Sequence, residues 1–331
     1  MQPSSKSSQP TSSLTPFFER QGVIILDGGL ATELERQGHD LNHPLWSARL
    51  LMTHPNEIRA VHEAYLDAGA DCVTAASYQA SIPGFLAQGL TKKQTENLLR
   101  KAVLLACEAR DDWVDKHRES GLARLRPIVA ASIGPYGAFL ADGSEYRGDY
   151  DVNDEALYRF HAERWQIFAE TPADIIACET IPSFREARVL RRLIRQTPDK
   201  PAWVSFSCRD GGRISDGTPI AECAAFLQDC DQIAAIGVNC TPPQHLVNLI
   251  HSIRKAAPNK RVVVYPNSGE SYDSLSKTWH GATAATDFAD AGLRWREAGA
   301  TLIGGCCRTT PGHIRAMRER LATADGSKMF R

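Results

Sequence analysis

Two adjacent cysteines, Cys306 and Cys307, follow two glycines in IGGCCRTTPGH (303–313), and a third, Cys240, stands in GVNCTPP (237–243). Thiolates are soft ligands suited to zinc, and a catalytic zinc takes three protein ligands with its fourth position open. Successive strand residues point to opposite faces, so Cys306 and Cys307 can share a site only where regular pleating has ended. Gly304 and Gly305, having no Cβ, permit that distortion. The same residue types also suit a plainer role, because buried free cysteines pack as small apolar side chains. Cys72, Cys107, Cys178, Cys208, Cys223 and Cys230 are scattered along the chain and read that way. Spacing leaves both roles open for the trio.

The elements that must position these residues are short apolar runs alternating with helical patterns. The runs are 23–29, 72–77, 127–134, 175–180, 202–208, 234–240, 261–267 and 301–307. They are near-continuously apolar, as parallel strands covered on both faces should be. Between them, Ile58, Val61, Ala64, Tyr65 and Ala68 recur at helical spacing before Gly69. Ser183 and Glu186 form a capping-box pattern ahead of Ala187, Leu190, Leu193 and Ile194. Thr310 and Pro311 open a last helix that presents Ile314, Met317 and Leu321. Eight strand–helix alternations in about 300 residues predict a single-domain α/β fold, a (β/α)8 TIM barrel. A doubly wound open sheet is the competing arrangement, but DGGLATE after the first strand lacks the spaced glycines of a dinucleotide site. The barrel is placed at 21–323, with a Ser/Thr/Pro-rich disordered leader at 1–20 and a tail at 324–331.

In such a barrel the chemistry lies at the carboxyl ends of the strands. The expected strand ends are polar: Asp27, Ser77–Tyr78, Glu179–Thr180, Asn239–Cys240, Asn267 and Cys306–Cys307. Each alone has an ordinary explanation, such as a helix cap. Together they would converge on one face, where three thiolates from two strand ends could form three corners of a tetrahedral zinc site.

The segments LDGGLATELERQG, TAASYQAS, CET, GVNCTPP, YPNSGE and IGGCCRTTP together closely resemble the zinc-dependent homocysteine S-methyltransferase family, S-methylmethionine type, from about Val23 to Leu321. The resemblance implies the barrel, Zn2+ held by Cys240, Cys306 and Cys307, and Asp27 and Glu179 at the amino-acid end of homocysteine. Backbone amides near Gly28 and Gly29 are candidate carboxylate donors. Related sequences often read Thr-Ala-Asn-Thr-Tyr where this chain has TAASY (74–78), a departure confined to the second loop.

A free alkyl thiol is mostly protonated at neutral pH, and zinc coordination would hold homocysteine as its thiolate. The substrate sulfur is then the nucleophile, and no protein nucleophile or catalytic histidine is required. The segment PYGAFLADGSEYRGDY (135–150) resembles the third loop of relatives that use S-methylmethionine. S-methylmethionine is therefore the expected donor, S-adenosylmethionine a second, and selenohomocysteine or selenocysteine alternative acceptors. Both donors are cationic sulfoniums, which aromatic faces attract; Tyr78 and Trp46 are the candidates, with Tyr136 and Phe139 reading more readily as packing. Competing readings are a barrel hydrolase or aldolase built on Asp27 and Glu179, and a non-catalytic zinc- or homocysteine-binding protein.

The 331 residues are 43% hydrophobic and 23% charged with formal net charge −1, which gives no electrostatic reason to expect nucleic acid or membrane as partner. No apolar run approaches the ~18 residues of a membrane span. The N-terminal stretch lacks the apolar block of a secretory signal. Nine scattered cysteines suit a reduced, cytoplasmic setting. Relatives that assemble through a C-terminal extension differ from this chain, so a monomer is expected.

Overall fold

In the computed structural model, which describes residues 13–41, 45–118, 124–269, 271–273, 278–280 and 283–324, every one of the eight apolar runs contains a strand. These are β1 (Ile24–Ile25), β2 (Cys72–Thr74), β3 (Ile128–Ile133), β4 (Ile175–Ile181), β5 (Ala202–Phe206), β6 (Ile233–Asn239), β7 (Arg261–Tyr265) and β10 (Leu302–Ile303). They hydrogen-bond in the order β1-β10-β7-β6-β5-β4-β3-β2. A parallel bridge from Leu26 to Cys72, with Asp27 N donating to Cys72 O at 3.0 Å, joins the ends of that order. The single domain is thus a nearly closed (β/α)8 barrel. An antiparallel hairpin, β8 (Ser271–Asp273) with β9 (Thr278–His280), follows β7 and was not expected from the sequence.

Both faces of the strands are covered, which is why the runs are apolar throughout. Ile24, Leu26, Ile128, Ala130, Ile175, Ala177, Trp203, Val263 and Leu302 fill the barrel. Ile25, Val129, Ile176, Val204, Ile236, Val262 and Ile303 face the helices instead. The helix Pro55–Asp67 buries Ile58, Val61 and Tyr65, and the helix Pro311–Ala324 buries Ile314, Met317 and Leu321, as their spacing required.

Two expectations need correction. Residues 15–20, assigned to a disordered leader, belong to the helix Thr15–Gln21, and residues 1–12 lie outside the described residues, as do 325–331 of the tail. Leu14 and Phe17 are buried against the barrel interior, so this helix is part of the core. The capping box before the helix Phe184–Arg195 is only half formed. Ser183 Oγ accepts from Glu186 N at 3.2 Å, but the Glu186 carboxylate turns away to Tyr136 N (2.7 Å), the Tyr150 hydroxyl and His161 Nε2 (2.7 Å). A buried carboxylate takes the partners that best offset its lost hydration, and here they come from the third loop and the preceding helix.

Candidate metal centre and active site

The thiols meet because two strands end irregularly. Cys240 follows the last residue of β6 with φ 46°, a conformation rare for a side chain with a Cβ, and its amide donates to Tyr265 O at 3.3 Å. After β10 the chain keeps its place between neighbours while leaving the pleat: Gly304 N donates to Val264 O, Gly305 N to Asp27 O and Cys306 N to Pro266 O (2.9, 3.0 and 2.7 Å). The turn closes with Thr309 N on Cys306 O at 3.2 Å, and Arg308 carries the positive φ of 65°. Gly304 and Gly305 have no left-handed φ; they are needed for close approach. A Cβ at Gly304 would lie 2.6 Å from Leu26 Cβ, and one at Gly305 2.4 Å from Thr309 Oγ1.

Cys240, Cys306 and Cys307 place their sulfurs within 4.8 Å of one another, with Cys240 Sγ and Cys307 Sγ 3.9 Å apart. Tetrahedral zinc with Zn–S bonds of ~2.3 Å sets its sulfurs about 3.8 Å apart, so the trio fits three corners of such a site. Hydrogen bonds from Cys240 and then Cys306 hold the Cys307 thiol well below its ordinary pKa. All nine cysteines are free, and the other six are buried.

Asp27 and Glu179 lie on the same face. Asp27 Oδ2 accepts from Thr74 N at 2.7 Å and Oδ1 from Thr74 Oγ1 at 3.0 Å. Burial nevertheless raises its pKa to about 8, with a contribution from the charge of Glu179. Glu179, raised to about 7 by burial, is hydrogen-bonded by the Ser132 and Tyr265 hydroxyls. Glu179 is aimed by an irregularity in β4. Cys178 pairs with Val204 but Ile181 with Phe206, so three steps on β4 answer two on β5, and Thr180 takes φ 60°. Asn239 fixes that distortion: its Oδ1 accepts from Thr180 N and its Nδ2 donates to Thr180 Oγ1, both at 2.7 Å.

A cavity of about 680 Å³ joins these groups, lined by Asp27, Gly28, Tyr78, Glu179 and the three thiols. Gly28 cannot carry a side chain, because a Cβ would lie 2.9 Å from the Tyr65 ring. The Gly29 amide is taken by Thr309 O (3.2 Å) and Oγ1 (3.1 Å), so it is not a vacant carboxylate donor. Ser77 turns to brace β3, its Oγ donating to Ser132 O at 2.8 Å. Tyr136 and Phe139 pack with each other and with Phe160, outside this cavity. Trp46 lies on the short helix Trp46–Arg49, and its side chain is outside the described residues.

Several lining residues were missed. Glu145 and Tyr146 come from the turn Ser144–Tyr146 of the third loop, and Gln79 follows Tyr78. Tyr265 ends β7, where its hydroxyl meets Trp203 Nε1 (3.0 Å) and Ser205 Oγ (2.7 Å) at the cavity floor. A tyrosine closing the apolar run RVVVY was the available signal for it. Arg308 is the one basic residue among the described residues lining the cavity, against Asp27, Glu35, Glu145 and Glu179.

A family model described as homocysteine S-methyltransferase matches residues 24–321. Homocysteine S-methyltransferase YbgG of Bacillus subtilis is 50% identical over 293 residues, covering 88% of this chain and 92% of that protein. Selenocysteine Se-methyltransferase of Brassica oleracea is 49% identical over 314 residues, covering 92% and 90%. The metallated crystal form of the homocysteine methyltransferase MmuM from Escherichia coli superposes with TM-score 0.83 at 41% identity, covering 93% of this chain and 99% of that one.

Proposed function

This chain belongs to the homocysteine S-methyltransferase family and is a methyltransferase of that kind; from that premise we propose that it moves a methyl group from S-methylmethionine to homocysteine, with S-adenosylmethionine as a second donor. The first reaction gives two methionines. The observation that carries this reading is the placement of three convergent thiols and a buried carboxylate pair in one cavity.

Zn2+ on Cys240, Cys306 and Cys307, when bound, supplies a positive centre that keeps an acceptor thiol deprotonated near neutral pH. Asp27 and Glu179 bind the homocysteine ammonium, and both must be ionised to do so by charge-assisted hydrogen bonds. Thr74 and Ser132 hold their oxygens in place, so little ordering is left to pay for on binding. Arg308 offers positive charge to a substrate carboxylate at the cavity wall. Tyr78 and Tyr146 line the same cavity and feel the charges of the thiols, and their rings are the aromatic faces assigned here to the sulfonium. The leaving group is a neutral thioether and needs no proton.

The test is methionine production by reduced, zinc-loaded protein from homocysteine and methyl-labelled S-methylmethionine. Parallel reactions contain labelled S-adenosylmethionine, betaine or methyltetrahydrofolate. Label from S-methylmethionine that disappears with a chelator supports donor and metal together; transfer only from betaine or the folate refutes the donor assignment. The 49% identity to a selenocysteine methyltransferase favours one extension, a selenol as alternative acceptor. We place the activity in the cytoplasm, where nine free thiols stay reduced, with a monomeric catalytic unit that includes the helix Thr15–Gln21 and runs through the helix Pro311–Ala324. No helix among the described residues is long and apolar enough to cross a membrane.

A further inference from the structure

Two acceptor oxygens of residues that line the cavity have no hydrogen-bond partner although both are buried: Glu145 Oε2 and Gln79 Oε1. Such oxygens are uncommon in folded proteins, because leaving one dry and unpaired costs on the order of 1–3 kcal/mol. The Gln79 amide is oriented by its other end, since Nε2 donates to Ala138 O at 3.0 Å and so leaves Oε1 as the free acceptor. The backbone of Glu145 is held in place. Its carbonyl accepts from Ser207 Oγ at 3.0 Å, and Gly137 packs so closely that a Cβ there would lie 2.5 Å from Glu145 N. Both residues adjoin the tyrosines, Tyr78 and Tyr146, that flank the thiols.

Resting on the sulfonium-donor reading above, we infer that Glu145 and Gln79 form the subsite for the primary ammonium of the methyl donor, making the enzyme selective for amino-acid sulfoniums. Two acceptors, one of them a carboxylate, call for a cation that carries N–H groups. A sulfonium centre has none, and neither does a quaternary ammonium, so the reacting cation cannot satisfy these oxygens itself. The α-ammonium of S-methylmethionine or S-adenosylmethionine can, while the sulfonium stays over the aromatic faces. Each substrate then has its own acceptor pair: Asp27 and Glu179 for the methyl acceptor, Glu145 and Gln79 for the methyl donor.

The experiment compares S-methylmethionine with its des-amino analogue, 4-(dimethylsulfonio)butanoate, on zinc-loaded wild type, Glu145→Gln and Gln79→Met. Zinc content and homocysteine KM report an intact acceptor site. For wild type, kcat/KM should favour S-methylmethionine by roughly a hundredfold, as expected when a charge-assisted pair is lost. Glu145→Gln should lower kcat/KM for S-methylmethionine by about tenfold or more, mainly through donor KM, and leave the analogue and homocysteine KM within about threefold. Gln79→Met should act in the same direction more weakly. Equal losses on both donors, or a raised homocysteine KM with donor KM unchanged, overturn the subsite. Wild type that transfers from betaine but from neither amino-acid sulfonium overturns the donor reading as well; wild type that uses both sulfoniums equally well overturns the subsite alone.

Discussion

Asp27→Asn should change the number of protons that leave the protein when an amino acid binds. Burial raises Asp27 to about 8 and Glu179 to about 7, so near pH 7 the pair holds about 0.9 and about 0.5 proton respectively. An ammonium ligand stabilises both carboxylates, and binding should expel the sum, about 1.4 protons. Methionine is the informative ligand, because it has the ammonium and no thiol to confuse the count. Calorimetric titration at pH 7 in buffers of different ionisation enthalpy reads the number from the slope. Wild type should release between one and about 1.4 protons, and Asp27→Asn no more than about half a proton, since only Glu179, about half protonated at pH 7, is left to ionise. A wild-type slope of zero, or an unchanged slope in the variant, would refute the argument that these carboxyls sit partly neutral and await a cation. The same values set a sign for stability without ligand. The folded protein keeps protons that the unfolded chain, near 3.8 and 4.5, has already released. That contribution is complete below about pH 4 and is lost as pH rises through about 7 and 8, each tenfold difference in proton affinity between folded and unfolded chain being worth about 1.4 kcal/mol per group.

Cys306→Ser should lower zinc stoichiometry and turnover together, because a hydroxyl is a poor zinc ligand; metal analysis beside the activity assay checks this, and full activity would remove Cys306 from the site. Mild oxidation should join Cys240 to Cys307, whose sulfurs are 3.9 Å apart, and expel zinc; retained metal after loss of two titratable thiols would contradict the ligand assignment. His62 is wholly buried with both ring nitrogens unpartnered, and burial lowers its pKa to about 4. Stability from its neutral form is therefore present above about 6.5 and lost as pH falls towards 4. His62→Leu should raise stability at pH 7 by about 1 kcal/mol and blunt that acid loss, and a lower denaturation midpoint would show that the imidazole has a hidden partner.

The barrel was legible because parallel strands covered on both faces carry apolar residues at every position, so β3, β4, β5 and β6 stand out as runs. The thiols and the two carboxylates were legible because polar residues interrupt those runs at their ends. What stayed hidden were choices between local and distant partners. Glu186 has the spacing of a capping-box residue, yet its carboxylate is claimed by Tyr136, Tyr150 and His161, none of which is near in sequence. Leu14 and Phe17 sit in a Ser/Thr/Pro-rich stretch too short to show periodicity, and only the open end of the barrel gives them a burial site. Glu145 and Gln79 lie in segments that resemble the family, but nothing in those segments singles them out; their interest comes from oxygens without partners, which only coordinates reveal.

Backbone strain follows the same geography. The non-glycine residues with positive φ among the described residues are Ala141, Thr180, Cys240 and Arg308, and all four line the one cavity that holds the thiols and carboxylates. Each costs on the order of 1–3 kcal/mol, and Thr180, being β-branched, is the least comfortable of them. A distortion of that size persists only where surroundings over-determine it. Asn239 grips Thr180 from both its oxygen and its nitrogen, Thr32 Oγ1 accepts from Arg308 N at 2.9 Å, and Tyr265 O accepts from Cys240 N. Regular pleating would alternate neighbours between barrel interior and helix layer. Cys306 and Cys307 could not then both face Cys240, and the bulge that follows Cys178 could not aim Glu179 across the cavity. The strain is thus the cost of drawing adjacent residues from strand ends onto one side, and it falls where a metal and an ammonium would need them.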